Sequence, residues 1–256
     1  MNIIIISGSR SWMLDISTQL IAMMPGKVVG LITEDLGSFR NVLKHFIRRR
    51  KRYGLIKTLD QIFLQLFLMV RGDKTPRKHN SELPFEMKNI SRMQTSDINS
   101  TSVREFIIFK KGDIIVNIGG GLLRDKTYGA ARICSLNIHS GITPRYRGTN
   151  PNVWAIYEGN LSCVGVTVHK IDAGIDTGEV LFQKKIDVFK GQDTLESITV
   201  QAFEEGIKGI QTVLNYYEMH GSFPVADVGS MDDRIYGWYG LSHYMRAEKI
   251  LNNFLV

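Results

Sequence analysis

An apolar run at the amino end, Asn2-Ile3-Ile4-Ile5-Ile6-Ser7, sets the first constraint on the fold. A strand buried on both faces reads as such a continuous run rather than as an alternation. The small polar loop Ser7-Gly8-Ser9-Arg10-Ser11 follows, then helical spacing over Trp12–Met24, a stop at Pro25-Gly26 and a second strand over Lys27–Thr33. Strand, helix, strand in that order implies a parallel pair joined by a right-handed crossover. The first loop then lies at the carboxyl end of the strands, where such sheets bind ligands. Small residues at a helix start can offer backbone N–H groups to phosphate, which makes Ser9 and Arg10 candidate substrate contacts. Gly8 alone falls short of a dinucleotide fingerprint, and an N-cap by Ser9 or Ser11 is the structural alternative.

The next segment leaves the compact pattern. Phe39, Val42, Leu43, Phe46 and Ile47 follow helical spacing, and after Gly54 a second apolar helix is expected through Leu55, Leu59, Ile62, Phe63, Leu66, Phe67 and Val70. Between them stands Arg48-Arg49-Arg50-Lys51-Arg52. A basic amphipathic segment suits an anionic membrane surface or RNA. The expectation preferred here is an insertion packed on the domain or on a second subunit, its basic face in solvent. Asp73–Ser81 reads as a loop, and Phe85–Met93 as holding a short strand. Ser100 or Ser102 is expected to cap a helix running to Lys110, ended by Lys111-Gly112. Asp113–Ile118 is a further buried strand, followed at once by Gly119-Gly120-Gly121, which permits close ligand approach. Further strands are expected over Arg132–His139, Val164–Lys170 and Val180–Asp187. Helices are expected over Asn152–Tyr157 and Thr194–Tyr217.

Composition excludes little. Hydrophobic residues make up 43% and charged residues 22% of the 256, as in an ordinary globular protein. The formal net charge is +7, but the run Arg48–Arg52 supplies five of those charges, so it says little about any active site. Cys134 and Cys163 have no partner at metal or redox spacing, and no metal site is expected. No export signal or transmembrane segment is read, so a cytoplasmic location is expected.

Function is concentrated in Asn137-Ile138-His139, then Pro144-Arg145-Tyr146-Arg147-Gly148, then Asp176-Thr177-Gly178. Alternate residues on a strand share a face, so Asn137 and His139 emerge side by side. Asp176 lies 37 residues beyond His139, far enough for the chain to leave and return. An amide donor, an imidazole and a carboxylate could thus meet. The stretch Leu136–Ile186 resembles the folate-dependent formyltransferases in carrying Asn-x-His, Pro-basic-x-x-Gly and Asp-x-Gly in this order. Two loops depart from that pattern: Thr149-Asn150-Pro151-Asn152 and Ser140-Gly141-Ile142-Thr143.

The resemblance implies an α/β fold: a Rossmann-like, mostly parallel sheet with helices on both faces. To this are added a helical insertion at about 36–80, within a catalytic domain at 1–217, and a C-terminal extension at 218–256 for dimerisation or substrate contact. It implies transfer of a formyl group from N10-formyltetrahydrofolate to an amine. Asn137, His139 and Asp176 are the implied catalytic residues: a donor to the oxygen that becomes negative, and acceptors for the proton leaving the amine. Asp172 is the alternative carboxylate. Folate contacts are expected from Gly120, Gly121, Leu122, Leu123, Asp172, Gly174 and Ile175, and Tyr128 is a further wall candidate. Acceptor contacts are expected from Ser9, Arg10, Arg145, Arg147, Thr149 and Asn150. The 39 residues after Tyr217 are too few for the β-barrel of the tRNA-specific branch. Glycinamide ribonucleotide enzymes carry Asp-Gly-Gly at the turn, where this chain has Asp176-Thr177-Gly178. The expected acceptor is therefore an amino-deoxy sugar on a nucleoside diphosphate, feeding surface polysaccharide synthesis, with no nucleic-acid partner. A glycinamide ribonucleotide or other small-amine transferase, a formyltetrahydrofolate hydrolase, and a basic RNA- or membrane-binding protein are the alternatives.

Overall fold

The computed structural model describes residues 1–34, 39–71, 90–229 and 232–253, and for residues 39–53 the backbone alone. Strands β1 (Ile3–Gly8), β2 (Val28–Glu34), β3 (Ser91–Thr95), β4 (Ile114–Ile118), β5 (Cys134–His139), β7 (Gly165–Lys170) and β8 (Val180–Lys185) form one sheet in the order β3-β2-β1-β4-β5-β7-β8. The pairs from β3 to β5 are parallel, whereas β5–β7 and β7–β8 are antiparallel. This is the mostly parallel, Rossmann-like sheet that the sequence implies. The chain order reverses between β1 and β4, the place where open α/β sheets bind ligands.

The run of isoleucines in β1 is explained by the two faces it serves. Ile3 and Ile5 pack in a core with Trp12, Ile16 and Leu20 of α1 (Ser11–Met23) and Ile207 and Ile210 of α6 (Leu195–His220). Ile4 and Ile6 pack on the other face with Val103 and Ile107 of α3 (Thr101–Phe109). Helices therefore cover both faces. Leu136 and Ile138 of β5 point into the first core, so Asn137 and His139 emerge on the opposite face. Helix α6 opens with a capping box: Thr194 Oγ1 accepts from Ser197 N at 3.0 Å, and Thr194 N donates to Ser197 Oγ at 2.9 Å.

Several expectations are corrected. The α1 N-cap is Arg10, with no side-chain hydrogen bond, so neither Ser9 nor Ser11 caps that helix. Ser100 holds the N-cap position of α3, but its hydroxyl pairs with Ser102 Oγ at 3.0 Å instead of capping. The short strand expected within Phe85–Met93 is at Ser91–Thr95, and the expected loop over Asp73–Ser81 lies outside the described residues. Helix α2 runs from Phe39 to Arg71 and is broken at Gly54 (φ 80°, ψ 171°), giving the two helical pieces the spacing predicts.

The carboxyl-terminal residues are more structured than their aromatic composition suggests. Helix α7 (Leu241–Asn253) packs on α2 and on α5 (Pro151–Tyr157). Strand β9 (Ile235–Tyr236) pairs in parallel with the two-residue β6 (Arg147–Gly148). Tyr236 stacks on Tyr146 with centroids 5.2 Å apart, and Trp154 Nε1 donates to the Gly237 carbonyl at 3.0 Å.

Candidate active site

Registry across the sheet assembles the polar centre. Asn117 of β4 lies beside Asn137 of β5, which lies beside His169 of β7. Asn117 Nδ2 donates to Asn137 Oδ1 at 3.1 Å, which turns the Asn137 amide nitrogen toward His169 Nε2 at 3.2 Å and Asp176 Oδ1 at 3.5 Å. Asp176 returns on the β7–β8 connection with φ 51°, so an L-residue there adopts a left-handed backbone to aim its carboxylate inward. Its Oδ2 lies 3.5 Å from His139 Nδ1 and its Oδ1 3.4 Å from His169 Nε2. Gly148 N donates to Asp176 Oδ2 at 2.8 Å. The amide, imidazole and carboxylate singled out in the sequence thus occupy one cluster.

The tautomers follow from the backbone. His139 Nε2 is 2.7 Å from the Tyr146 carbonyl, and His169 Nδ1 is 2.7 Å from the Lys170 carbonyl. A carbonyl only accepts, so each of these ring nitrogens carries a proton. In the neutral rings the opposite nitrogens are then bare, and both face Asp176. Burial pushes His139 below its ordinary value, against the opposing pull of Asp176, and so favours the neutral ring. Burial alone raises Asp176, but His139, His169 and the Gly148 N–H together hold it down at about 2. At neutral pH the cluster therefore holds an ionised Asp176 beside a His139 ring that burial keeps neutral. A proton added at His139 Nδ1 would complete a hydrogen bond to that carboxylate.

Gly148 has φ 95°, and a Cβ there would stand 2.1 Å from the Tyr236 carbonyl, so only glycine brings its N–H to Asp176 while β9 pairs alongside. Asp172 does not share the centre. Its Oδ1 accepts from Gly174 N at 3.0 Å and Thr177 Oγ1 at 2.7 Å, shaping the loop that presents Asp176. Ile175 lies exposed on that loop.

The other candidates are dispersed along the carboxyl edge. Gly120 sits over Asn117: a Cβ there would be 2.6 Å from Asn117 Oδ1, a buried acceptor with no partner among the described residues. Gly121 N donates to Glu34 Oε2 at 2.8 Å, and burial raises the Glu34 carboxyl. Leu122 is exposed, while Leu123 is buried in the second core, and Tyr128 packs against that core. Ser9 and Arg10 are exposed at the tip of β1. Arg145 lies over the Tyr146 ring at 5.8 Å, and Arg147 Nη1 pairs with Asp233 Oδ2 at 2.8 Å. Thr149 N donates to the Tyr236 carbonyl at 3.0 Å, and the Asn150 carbonyl accepts from Val153 N at 3.1 Å. Beside Asp176 lies a cavity of about 430 Å³, walled by Thr143, Arg147, Val180, Val225 and Asp233 among others.

Sequence reasoning missed His169, Asn117 and the wall of Val225, Ala226, Val228 and Asp233. His169 pairs with Asn137 across β5–β7, and only sheet register reveals that neighbour.

A family model described as Formyl transferase matches residues 76–214. This chain belongs to the formyl transferase family. A methionyl-tRNA formyltransferase of Chlorobium chlorochromatii (strain CaD3) is 29% identical over 141 residues, covering 52% of this chain and 45% of that protein. One of Koribacter versatilis (strain Ellin345) is 42% identical over 72 residues, 28% of this chain and 22% of that protein. The chain spans less than half the length of these curated relatives. Its fold is that of a sugar N-formyltransferase from Shewanella sp FDAARGOS_354 (TM-score 0.57, 15% identity, 98% of this chain and 87% of that one). It is equally that of a phosphoribosylglycinamide formyltransferase from Bacillus halodurans (TM-score 0.55, 20% identity, 87% and 97%).

Proposed function

We propose that this formyltransferase moves a formyl group from N10-formyltetrahydrofolate to the amine of an amino-deoxy sugar carried on a nucleoside diphosphate. The observation that carries the chemistry is the Asp176 carboxylate between His139 Nδ1 and His169 Nε2, next to the Asn137 amide. The folate would lie along Gly120–Leu122, where a side chain at Gly120 would strike the Asn117 amide oxygen, a buried acceptor with no partner among the described residues. When bound, it supplies the formyl group on nitrogen. Asn137 Nδ2 is held by its neighbours as a donor for the formyl oxygen as that oxygen gains charge. Asp176 with His139 takes the proton leaving the amine, and the Tyr146 carbonyl keeps the ring in the receptive tautomer.

Size supports a sugar nucleotide as acceptor. A cavity of about 430 Å³ lies within the range of small-molecule pockets and opens beside the carboxylate. Arg147 lines it, held there by its pair with Asp233, and a ligand phosphate or carboxylate would compete with Asp233 for that guanidinium. Likeness to solved sugar N-formyltransferases over nearly the whole chain adds to this. Methionyl-tRNA is the second reading, favoured by the names of the sequence relatives.

The test is incubation with 10-formyltetrahydrofolate and a panel of amino-sugar nucleotides, initiator methionyl-tRNA and glycinamide ribonucleotide, with formyl addition read by mass. Addition to a sugar amine supports the proposal, and addition to tRNA alone replaces it with the second reading. Release of formate without any amine would point to hydrolysis.

A further inference from the structure

After Gly54, helix α2 turns one face to the protein and an apolar stripe away from it. Thr58, Gln61 and Leu64 are buried. Asp60 holds α7 by accepting from Ser242 Oγ at 2.9 Å, and Arg71 pairs with Glu248. The opposite side is Leu55, Ile56, Leu59, Phe63, Leu66, Met69 and Val70. At 3.6 residues per turn these seven fall within an arc of about 140°. Ile56 is 84% exposed, Met69 79% and Val70 90%. At roughly 100 Å² each, the seven exceed the few hundred Å² of contiguous apolar surface that a monomer ordinarily leaves in water.

Charge decides what covers this stripe. Phe39–Arg71 holds nine Lys and Arg against one acid, Asp60, a local charge of +8. The whole chain nets +7, so everything outside this helix sums to −1. A second copy of the helix would bring a like charge of the same size against it. RNA would answer the charge but not the seven apolar side chains. An anionic bilayer answers both, taking the apolar stripe into its headgroup boundary while lipid phosphates meet the basic run. Among the described residues no helix is long and apolar enough to cross a membrane, so the element lies on the surface.

We infer that α2 docks this enzyme on an anionic lipid surface through Leu55–Val70, with Arg48–Arg52 supplying the electrostatic attraction. This does not depend on the acceptor proposed above. The test is sedimentation of the full chain with vesicles, either phosphatidylglycerol mixed with phosphatidylethanolamine or phosphatidylcholine alone. The expected result is binding to the anionic vesicles at least tenfold tighter than to the neutral ones, weakened by salt. A triple variant Ile56→Ser, Phe63→Ser, Val70→Ser should lose it at least tenfold, and Arg49→Gln with Arg50→Gln should weaken it severalfold. Ile56, Phe63 and Val70 lie outside the candidate active site, so formyl transfer to a soluble acceptor by the triple variant should be unchanged. No binding by the parent chain overturns the inference. So does a dimer, seen by sedimentation equilibrium without lipid, that the triple variant dissolves. RNA binding indifferent to the triple variant, without vesicle binding, overturns it as well.

Discussion

Replacing Asp176 with Asn separates the site's proton chemistry from its architecture. The substitution keeps the shape, and an amide oxygen can still accept from Gly148 N, now 2.8 Å from Oδ2. The new amide N–H can donate to the bare nitrogen of His139 or His169, 3.5 and 3.4 Å away in the parent. Stability at pH 7 should therefore fall by no more than the roughly 2 kcal/mol that the charge contributes. The charge is lost, however. A carboxylate and an imidazolium 3.5 Å apart attract by roughly 5 kcal/mol at an effective dielectric of 20. Even a third of this exceeds the ~1.4 kcal/mol of one pKa unit, so protonated His139 becomes harder still to form. The transfer rate should fall by about 10²–10⁴, the usual contribution of a positioned acid–base group. The stability curve carries an independent signature. The Asp176 carboxyl is depressed from 3.8 to about 2, so it contributes roughly 2 kcal/mol that is present above pH 3.8 and lost as pH falls toward 2. Urea unfolding across that window should show the loss in the parent and not in the variant. Single-turnover transfer gives the rate. A folded variant transferring within threefold of the parent would refute the proton-acceptor role.

Four other outcomes follow from the same geometry. His139 is held below its ordinary 6.5 by burial, so the pH–rate profile of transfer should stay flat through neutrality and fall only below that value; a midpoint above 7 would contradict the buried neutral ring. Its stabilising preference for the neutral ring is complete above pH 6.5 and is lost as pH falls below it. His169→Phe removes the partner of Asn137 Nδ2 and should lower kcat by about 10–100-fold with little change in KM, since Asn137 acts only as charge develops. Gly148→Ala drives a Cβ into the Tyr236 carbonyl at positive φ and should cost about 2 kcal/mol or more by denaturant titration, where a loss under 0.5 would show that β9 yields easily. Thr194→Ala opens the capping box of α6 and should lower unfolding stability by about 1 kcal/mol.

The elements legible in the sequence are those whose pattern is local. The Ile3–Ile6 run, the Pro25-Gly26 stop and the α6 stripe each declare themselves within a dozen residues. So do Asn137 and His139, because strand alternation alone puts them on one face. Asp176 was found through its motif, and the structure brings it to His139 as the resemblance implies. His169 and Asn117 were not found, because an isolated His or Asn on an apolar strand carries no signal until the register of three strands sets them in a row. The docking of the tail has no such local signal: two paired residues at β6 and β9 are too short to have a period, and the stacking of Tyr236 on Tyr146 appears only in the fold. Ser9 and Ser11 suited an N-cap by composition, yet Arg10 takes the position, because cap identity depends on where the backbone turns into the helix.

The short ladder between Arg147–Gly148 and Ile235–Tyr236 has a consequence for how the enzyme matures on the ribosome. Every residue that touches the Asp176 carboxylate has been synthesised by residue 176, but the strip that flanks Gly148 and walls the neighbouring cavity arrives some sixty residues later. A nascent chain with α6 just emerged therefore lacks one wall of the cavity beside its polar centre, and that wall forms only when β9 pairs alongside β6.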